Sequence, residues 1–346
     1  MTSSAAALFP LSVPPRRTAA HPRLASVPRR VAAMVLACTL AAGLSACSQD
    51  EGAQDAAVAG EGSAPLEVDA AKLTLVTPGE GDKRVLAYRA PAGEAPQTQE
   101  GKLRLAQGFT QGIGDASTSP LPAQESEVTG LSVPYTARTV HAEDTRMVTL
   151  TLGQGRFDDL SRAGDVVAAA DGFSMAMAVA DTGQVRTVSL SAPQDATDAG
   201  RAVVESLLMA QLATPVVFPA EPIGVGAVWE LDSRVPGSNA LLQHTTLTLT
   251  ALEGDRAEVD VTLTQRPTQS ALDLGSVGRE GELKVLSSET LSRGSLTVDL
   301  SQPLPTSGSI EAITRVIYGE DTPDATQRVV QDTSFLVDYA PQPTAG

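Results

Sequence analysis

The chain has 346 residues, with 25 basic against 41 acidic side chains and a formal charge of −16. Residues 1–46 hold five arginines and no acid, so the remainder carries 20 basic and 41 acidic groups, a formal charge of −21. Such a field repels nucleic acid and anionic lipid headgroups and argues against both as partners of the downstream chain.

Residues 1–28 are basic and proline-rich, with no means of building a core, and read as an extension from an over-called start; Val27 is an alternative initiation point. Arg29 and Arg30 precede an apolar run over 31–44. About 14 residues fall short of the roughly 20 that span a bilayer, so a cleaved signal is expected rather than a permanent membrane segment. The run ends Leu44-Ser45-Ala46-Cys47.

That tetrapeptide resembles the bacterial lipobox, L-[AS]-[GA]-C. The resemblance implies cleavage between Ala46 and Cys47 and a diacylglyceryl group on the Cys47 thiol. It places the protein outside the cytoplasm, anchored to the outer face of the cell membrane. Two or more acyl chains hold stably where one binds marginally. Val31-Ala32-Ala33 lacks the bulky apolar pair of a twin-arginine signal, which favours the general secretory route. The other cysteine, Cys38, lies in the apolar run and leaves with it, so no disulfide or cysteine metal site is available. Residues 48–65 are rich in Gln, Asp, Glu, Gly and Ala and read as a flexible linker behind the lipidated N-terminus.

From Leu66 the apolar period is mostly two. Short strands are expected at 72–76, 84–90 and 102–107, and a Gly/Ser/Pro-rich loop at 111–124. Strands follow at 146–152 and 173–179. In the second, Phe173, Met175, Met177 and Val179 share one face; Ser174, Ala176, Ala178 and Ala180 form a small-residue face suited to a packed helix. Asp181 to Gln184 makes a turn before a strand at 185–190.

The principal helix is expected over 197–212, capped by Asp195 or Thr197, with Pro215 beyond its end. Its polar stripe is only Asp198, Arg201 and Glu205, and so wide an apolar arc implies burial on more than one side. After it, PAEPIGVGAVW (219–229) bends the chain, and Trp229, the single tryptophan, opens the next strand. Leu247, Leu249 and Ala251 alternate with threonines, residues 253–256 turn, and Val259, Val261 and Leu263 alternate with Glu258, Asp260 and Thr262: a half-buried hairpin. Further strands are expected at 282–289, 296–300, 310–318 and 329–339, with a frayed tail at 341–346.

The fold expected is mainly β with one principal helix (α+β), a curved antiparallel sheet or half-barrel over 66–340. Two offsets hint at duplicated β-meanders. Residues 143–152 match 253–263 from an offset of 110 at Glu143, and the G…V-x-L-S-x-P strand at 183–193 matches 294–303 from an offset of 111 at Gly183. The region 85–339 resembles a family of β-rich actinobacterial lipoproteins that carry an element like PAEPIGVGAVW before a strand. That likeness implies a fold and no activity. A more distant architectural likeness is to the lipid-carrying envelope lipoproteins.

No G-x-S-x-G, Walker loop or H-E-x-x-H occurs. Gly224-Val-Gly226 follows a proline and precedes a strand, which is turn chemistry rather than a dinucleotide fingerprint. His141 and His244 stand apart from each other and from any nucleophile. Asp158, Asp159 and Asp165 fit no calcium loop, and Glu320-Asp321 sits in a turn. No catalytic residue, metal site or cofactor is nominated, and a non-enzymatic role is expected. Three readings remain: a tethered module for an apolar ligand or envelope lipid, a surface scaffold or protein-interaction domain with an ordinary core, and a hydrolase whose nucleophile and base the fold alone would assemble.

Overall fold

A computed structural model describes residues 65–89, 96–124, 127–142, 145–235, 241–273, 281–320, 322 and 325–342. The signal, Ala46, Cys47 and the linker lie outside these residues. The strands in chain order are β1 (Leu66–Glu67), β2 (Lys72–Pro78), β3 (Gln97–Asp115), β4 (Thr129–Ala142), β5 (Thr145–Leu152), β6 (Arg156–Phe157), β7 (Ser174–Val179), β8 (Val185–Ser191), β9 (Ala227–Val235), β10 (Leu241–Glu253), β11 (Arg256–Pro267), β12 (Ala271–Asp273), β13 (Glu282–Asp299), β14 (Ser307–Gly319) and β15 (Gln327–Pro341). Helix α1 (Ala163–Ala170) lies between β6 and β7, and α2 (Asp198–Leu212) between β8 and β9.

Alternation builds the strands. In β11, Ala257, Val259, Val261, Leu263 and Gln265 are buried while Glu258, Asp260, Thr262 and Thr264 face solvent. A tight turn at 254–255, with Gly254 at φ +57°, joins β10 to β11 from Glu253 to Arg256. Two antiparallel meanders result, β3-β4-β5-β7-β8 and β9-β10-β11-β13-β14-β15, fused where β15 pairs β3 from Pro341↔Gly101 to Gln327↔Asp115.

The two free edges meet through one segment. β1 adds to β8 and β2 adds to β9, yet only residues 68–71 separate them, so the edges lie within about 18 Å along the chain. Val68 N–H donates to Arg186 O at 2.9 Å and Ala71 N–H to Gln184 Oε1 at 3.2 Å along that clasp. The sheet therefore curls into an almost closed barrel around one apolar core containing Leu86, Trp229, Phe173, Leu208 and Val259. Trp229 is fully buried and its indole N–H donates to Val217 O at 2.8 Å, tying β9 to the chain that leaves α2.

Several expectations need correction. Residues 84–89 form no strand: they cross one end of the barrel, held by a single bridge from Arg84 to Ile223 and by bonds from Tyr88 N–H to Asp181 O and Arg89 N–H to Leu300 O. β3 runs through Asp115 because β15 supplies a ladder to residue 115, so the expected loop shrinks to 116–124. In β7 the methionine face, not the alanine face, looks into the core: Met175 and Met177 are buried while Ser174, Ala176 and Ala178 stay half-exposed. The expected strands at 282–289 and 296–300 are one strand, β13, and β15 takes in Pro341 of the expected tail.

The matched repeat segments hold unlike places. β5 and β8 are separated by β7, whereas their counterparts β11 and β13 pair directly. Two meanders exist, but the offset of 110 does not superpose them strand for strand.

Candidate functional site

Helix α2 lies across the barrel and fills it. Thr197 caps it, its hydroxyl accepting from Gly200 N–H at 3.1 Å. Val204, Leu207, Leu208, Gln211 and Leu212 are buried beneath it. Gly200 allows α1 to close on α2, since a Cβ there would stand 2.4 Å from Asp165 O. Beside α2 lies a cavity of about 50 Å³ bordered by Tyr88, Arg146, Met177, Gln211 and Tyr339. Pockets that take drug-sized ligands run to roughly 300–1,000 Å³, so this one holds a few waters at most.

The cavity wall carries the deepest charge among the described residues. Arg146 has a side chain 2 % exposed, its guanidinium 4.6 Å above the Tyr88 ring centroid. Its Nη2 donates to Ala180 O at 3.4 Å, and Nε, 3.8 Å from the Asp181 carboxylate, makes no hydrogen bond. Burial lowers the Arg146 pKa, opposed by Tyr88 and Asp181. Burial also drives the Tyr88 and Tyr339 phenols well above their ordinary value and pushes Tyr135 up to about 12. Burial thus holds the three phenols in their neutral form. Arg146 was legible in part: it continues the inward series of Val148, Leu150 and Leu152, which marks it as core-facing.

The sequence candidates are not brought together. His141 is exposed on β4. His244 Nδ1 lies 2.9 Å from Asp232 and Nε2 3.8 Å from Glu230, at the margin of an open polar groove of about 690 Å³ beside the clasp. Asp158 pairs with Arg104 at 3.0 Å, Asp159 accepts from Ser161 in a turn, and Asp165 sits in the first turn of α1. Among the described residues no three acids, histidines or cysteines could share a metal ion. Gly226 adopts φ +81° in the expected turn, and Gly224 allows contact with Glu80 O, which a Cβ would approach to 2.3 Å. Glu320 is exposed in its turn, and Asp321 lies outside the described residues.

The side of α2 turned away from the core carries short side chains. Ala199, Ala202 and Ser206 are exposed, with Ala210 half-exposed. Ser206 Oγ donates to Gln107 Oε1 at 2.8 Å while Gln107 Nε2 donates to Ser206 O at 2.9 Å, pinning this stripe against the inner face of β3. Past Gln107 that face continues through Phe109 (50 % exposed), Gln111 and Ile113 (67 % exposed), about 20 Å of strand. Their partners on β15 are Thr333, Gln331 and Val329. On the other face, Arg315 clamps Asp332 through two bonds, at 2.7 and 2.6 Å. Comparison with known proteins found no matching family, no similar curated protein and no similar solved structure.

Proposed function

We propose that the protein is a non-enzymatic, lipid-anchored domain of the outer face of the cell membrane, serving as a protein-interaction module. The anchor is Cys47, with cleavage after Ala46. The observation that carries the choice between module and lipid carrier is the filled barrel, with about 50 Å³ left beside α2. An acyl chain housed there would have to displace α2 and its buried leucines, each worth roughly 1.5–3 kcal/mol of burial. Phe109 and Ile113, exposed on one strand face beside the short side chains of α2, support a macromolecular partner, because contiguous exposed apolar surface marks contact sites.

The test is purification of the full-length chain from native membranes, with lipid extraction and mass spectrometry beside cross-linking in intact envelopes. The expected result is a lipid content of the covalent anchor alone and a cross-linked protein partner. One mole of non-covalent lipid per mole of chain would overturn the reading in favour of a carrier.

A further inference from the structure

We infer that the uncovered shelf formed by the inner face of β3 and β15 and the outward side of α2 receives an amphipathic helix of another protein, with cations along the helix flanks. The inference rests on the interaction reading above and names the partner's chemistry.

The wall carries the first part of the argument. From Phe109 to Ile113 the inward positions of β3 and β15 are Phe109, Gln111, Ile113, Val329, Gln331 and Thr333, none of them charged, and Asp115 ends the row. On β14 the same row is Thr314, Val316 and Tyr318, which are uncharged and buried and back the wall rather than extend it. A surface so depleted of charge, in a chain of net charge −16, has the composition of an interface centre rather than of a solvated sheet. Phe109 and Ile113 are the large apolar side chains left in water there.

The floor gives the shape. α2 spans about 22 Å, and at 100° per residue Ala199, Ala202, Ser206 and Ala210 fall on one stripe. Side chains this short leave room for a second helix to lie close along the floor with its apolar face turned into the Phe109–Ile113 wall, which is the helix-in-groove mode. The shelf is open along its length, which suits a polypeptide better than a small molecule.

Charge selects the occupant. The shelf is bordered by Asp198, Glu205 and Asp115, while Arg201 beside it is held between Asp198 at 3.5 Å and Glu205 at 3.6 Å. A second copy of this chain would bring the same acids and the same net charge, and an anionic bilayer would be repelled as well. A cation-flanked helix meets attraction on both counts.

The test uses two 18-residue amphipathic peptides with one shared leucine face, one flanked by lysines and the other by glutamates. Residues 56–346 form one compact unit with its own core, so the chain from Ser48 is the binding partner in fluorescence anisotropy. The lysine peptide should bind at least tenfold tighter than the glutamate peptide, and more weakly as salt rises. Phe109→Ser on the wall and Ala202→Glu on the floor should each weaken it tenfold or more, whereas Thr262→Glu on the outer face of β11 should change it less than twofold. Circular dichroism confirms that each variant is folded. Equal binding of both peptides, or insensitivity to both shelf variants, overturns the inference. So does a dimer that Ala202→Glu dissolves, which makes the occupant a second copy, or binding to zwitterionic vesicles that Phe109→Ser abolishes, which makes it a membrane. If the peptides fail but envelope cross-linking returns a partner through another face, this inference falls and the interaction reading stands.

Discussion

Replacing Arg146 with methionine should leave stability within about 1 kcal/mol of the parent, although the side chain is 98 % buried. The opposing terms nearly cancel. Desolvating a guanidinium costs several kcal/mol. Against it stand a cation–π contact at 4.6 Å, worth about 2 kcal/mol when dry, and a long bond to Ala180 O worth at most about 1 kcal/mol. The Asp181 term is about 4 kcal/mol at 3.8 Å with an effective dielectric constant near 20 and about 1 kcal/mol in water. Asp181 is 53 % exposed, which puts the term near 1–2 kcal/mol. Methionine fills most of the same volume and leaves a hydrated carboxylate behind. Asp181→Ala does the reverse and strands a buried cation, so it should destabilise more than Arg146→Met. Arg146→Ala adds a void to the existing cavity and should cost about 2–4 kcal/mol. Urea unfolding followed by Trp229 fluorescence measures all three. A loss above about 3 kcal/mol for Arg146→Met would refute the reasoning and mean that the guanidinium holds a partner beyond Tyr88, Ala180 and Asp181.

Cys47→Ser should abolish incorporation of labelled fatty acid and release the protein from the membrane fraction; a labelled serine variant would sink the anchor assignment. Thr197→Ala removes the hydroxyl that accepts from Gly200 N–H and should cost about 1 kcal/mol by urea titration, an unchanged midpoint being the contrary outcome. Gly183→Ala meets both a φ of +96° and Val216 O at 2.3 Å, so a loss of about 2–4 kcal/mol, or failure to fold, is expected, and wild-type stability would refute the close approach. Glu205 has its carboxyl pKa raised by burial, with Arg201 opposing. A raised folded value means its contribution is fully present below the ordinary glutamate range and is lost as pH rises through the folded pKa. Unfolding midpoints from pH 4 upward should therefore fall for the parent relative to Glu205→Gln across that window, and a pH-independent difference would rule this out.

The elements that alternation and capping could specify were legible, and those that depended on a neighbour were not. Thr197 and Pro215 bracket α2, and the β10–β11 hairpin follows from threonines and carboxylates opposite Leu247, Leu249, Val259 and Val261. Residues 84–89 misled because period two reports alternating burial, not a ladder: Leu86 and Tyr88 are buried and Val85 is exposed on a segment that crosses the barrel end with one bridge. Helix α1 is eight residues with a glycine at its second position, too short to stand on propensity. It forms because Val166, Ala169 and Ala170 bury against the core and α2. The wide apolar arc of α2 was seen in the sequence, but which of its sides the sheet would cover depended on how far β3 and β15 run past it.

Strand polarity sets β1 at the end of the sheet that carries the shelf. β3, β5 and β8 run in one direction, being alternate members of an antiparallel meander, and β1 runs against β8. Leu66 therefore lies at the end of the sheet at which β3 finishes, the end that bears Phe109 and Ile113. From there the chain passes down the clasp, giving β8 a ladder of only two residues before β2 takes up β9 over Lys72–Pro78. A pull arriving through the linker would strip that short ladder first and then meet Leu73 and Leu75, which pack on the core.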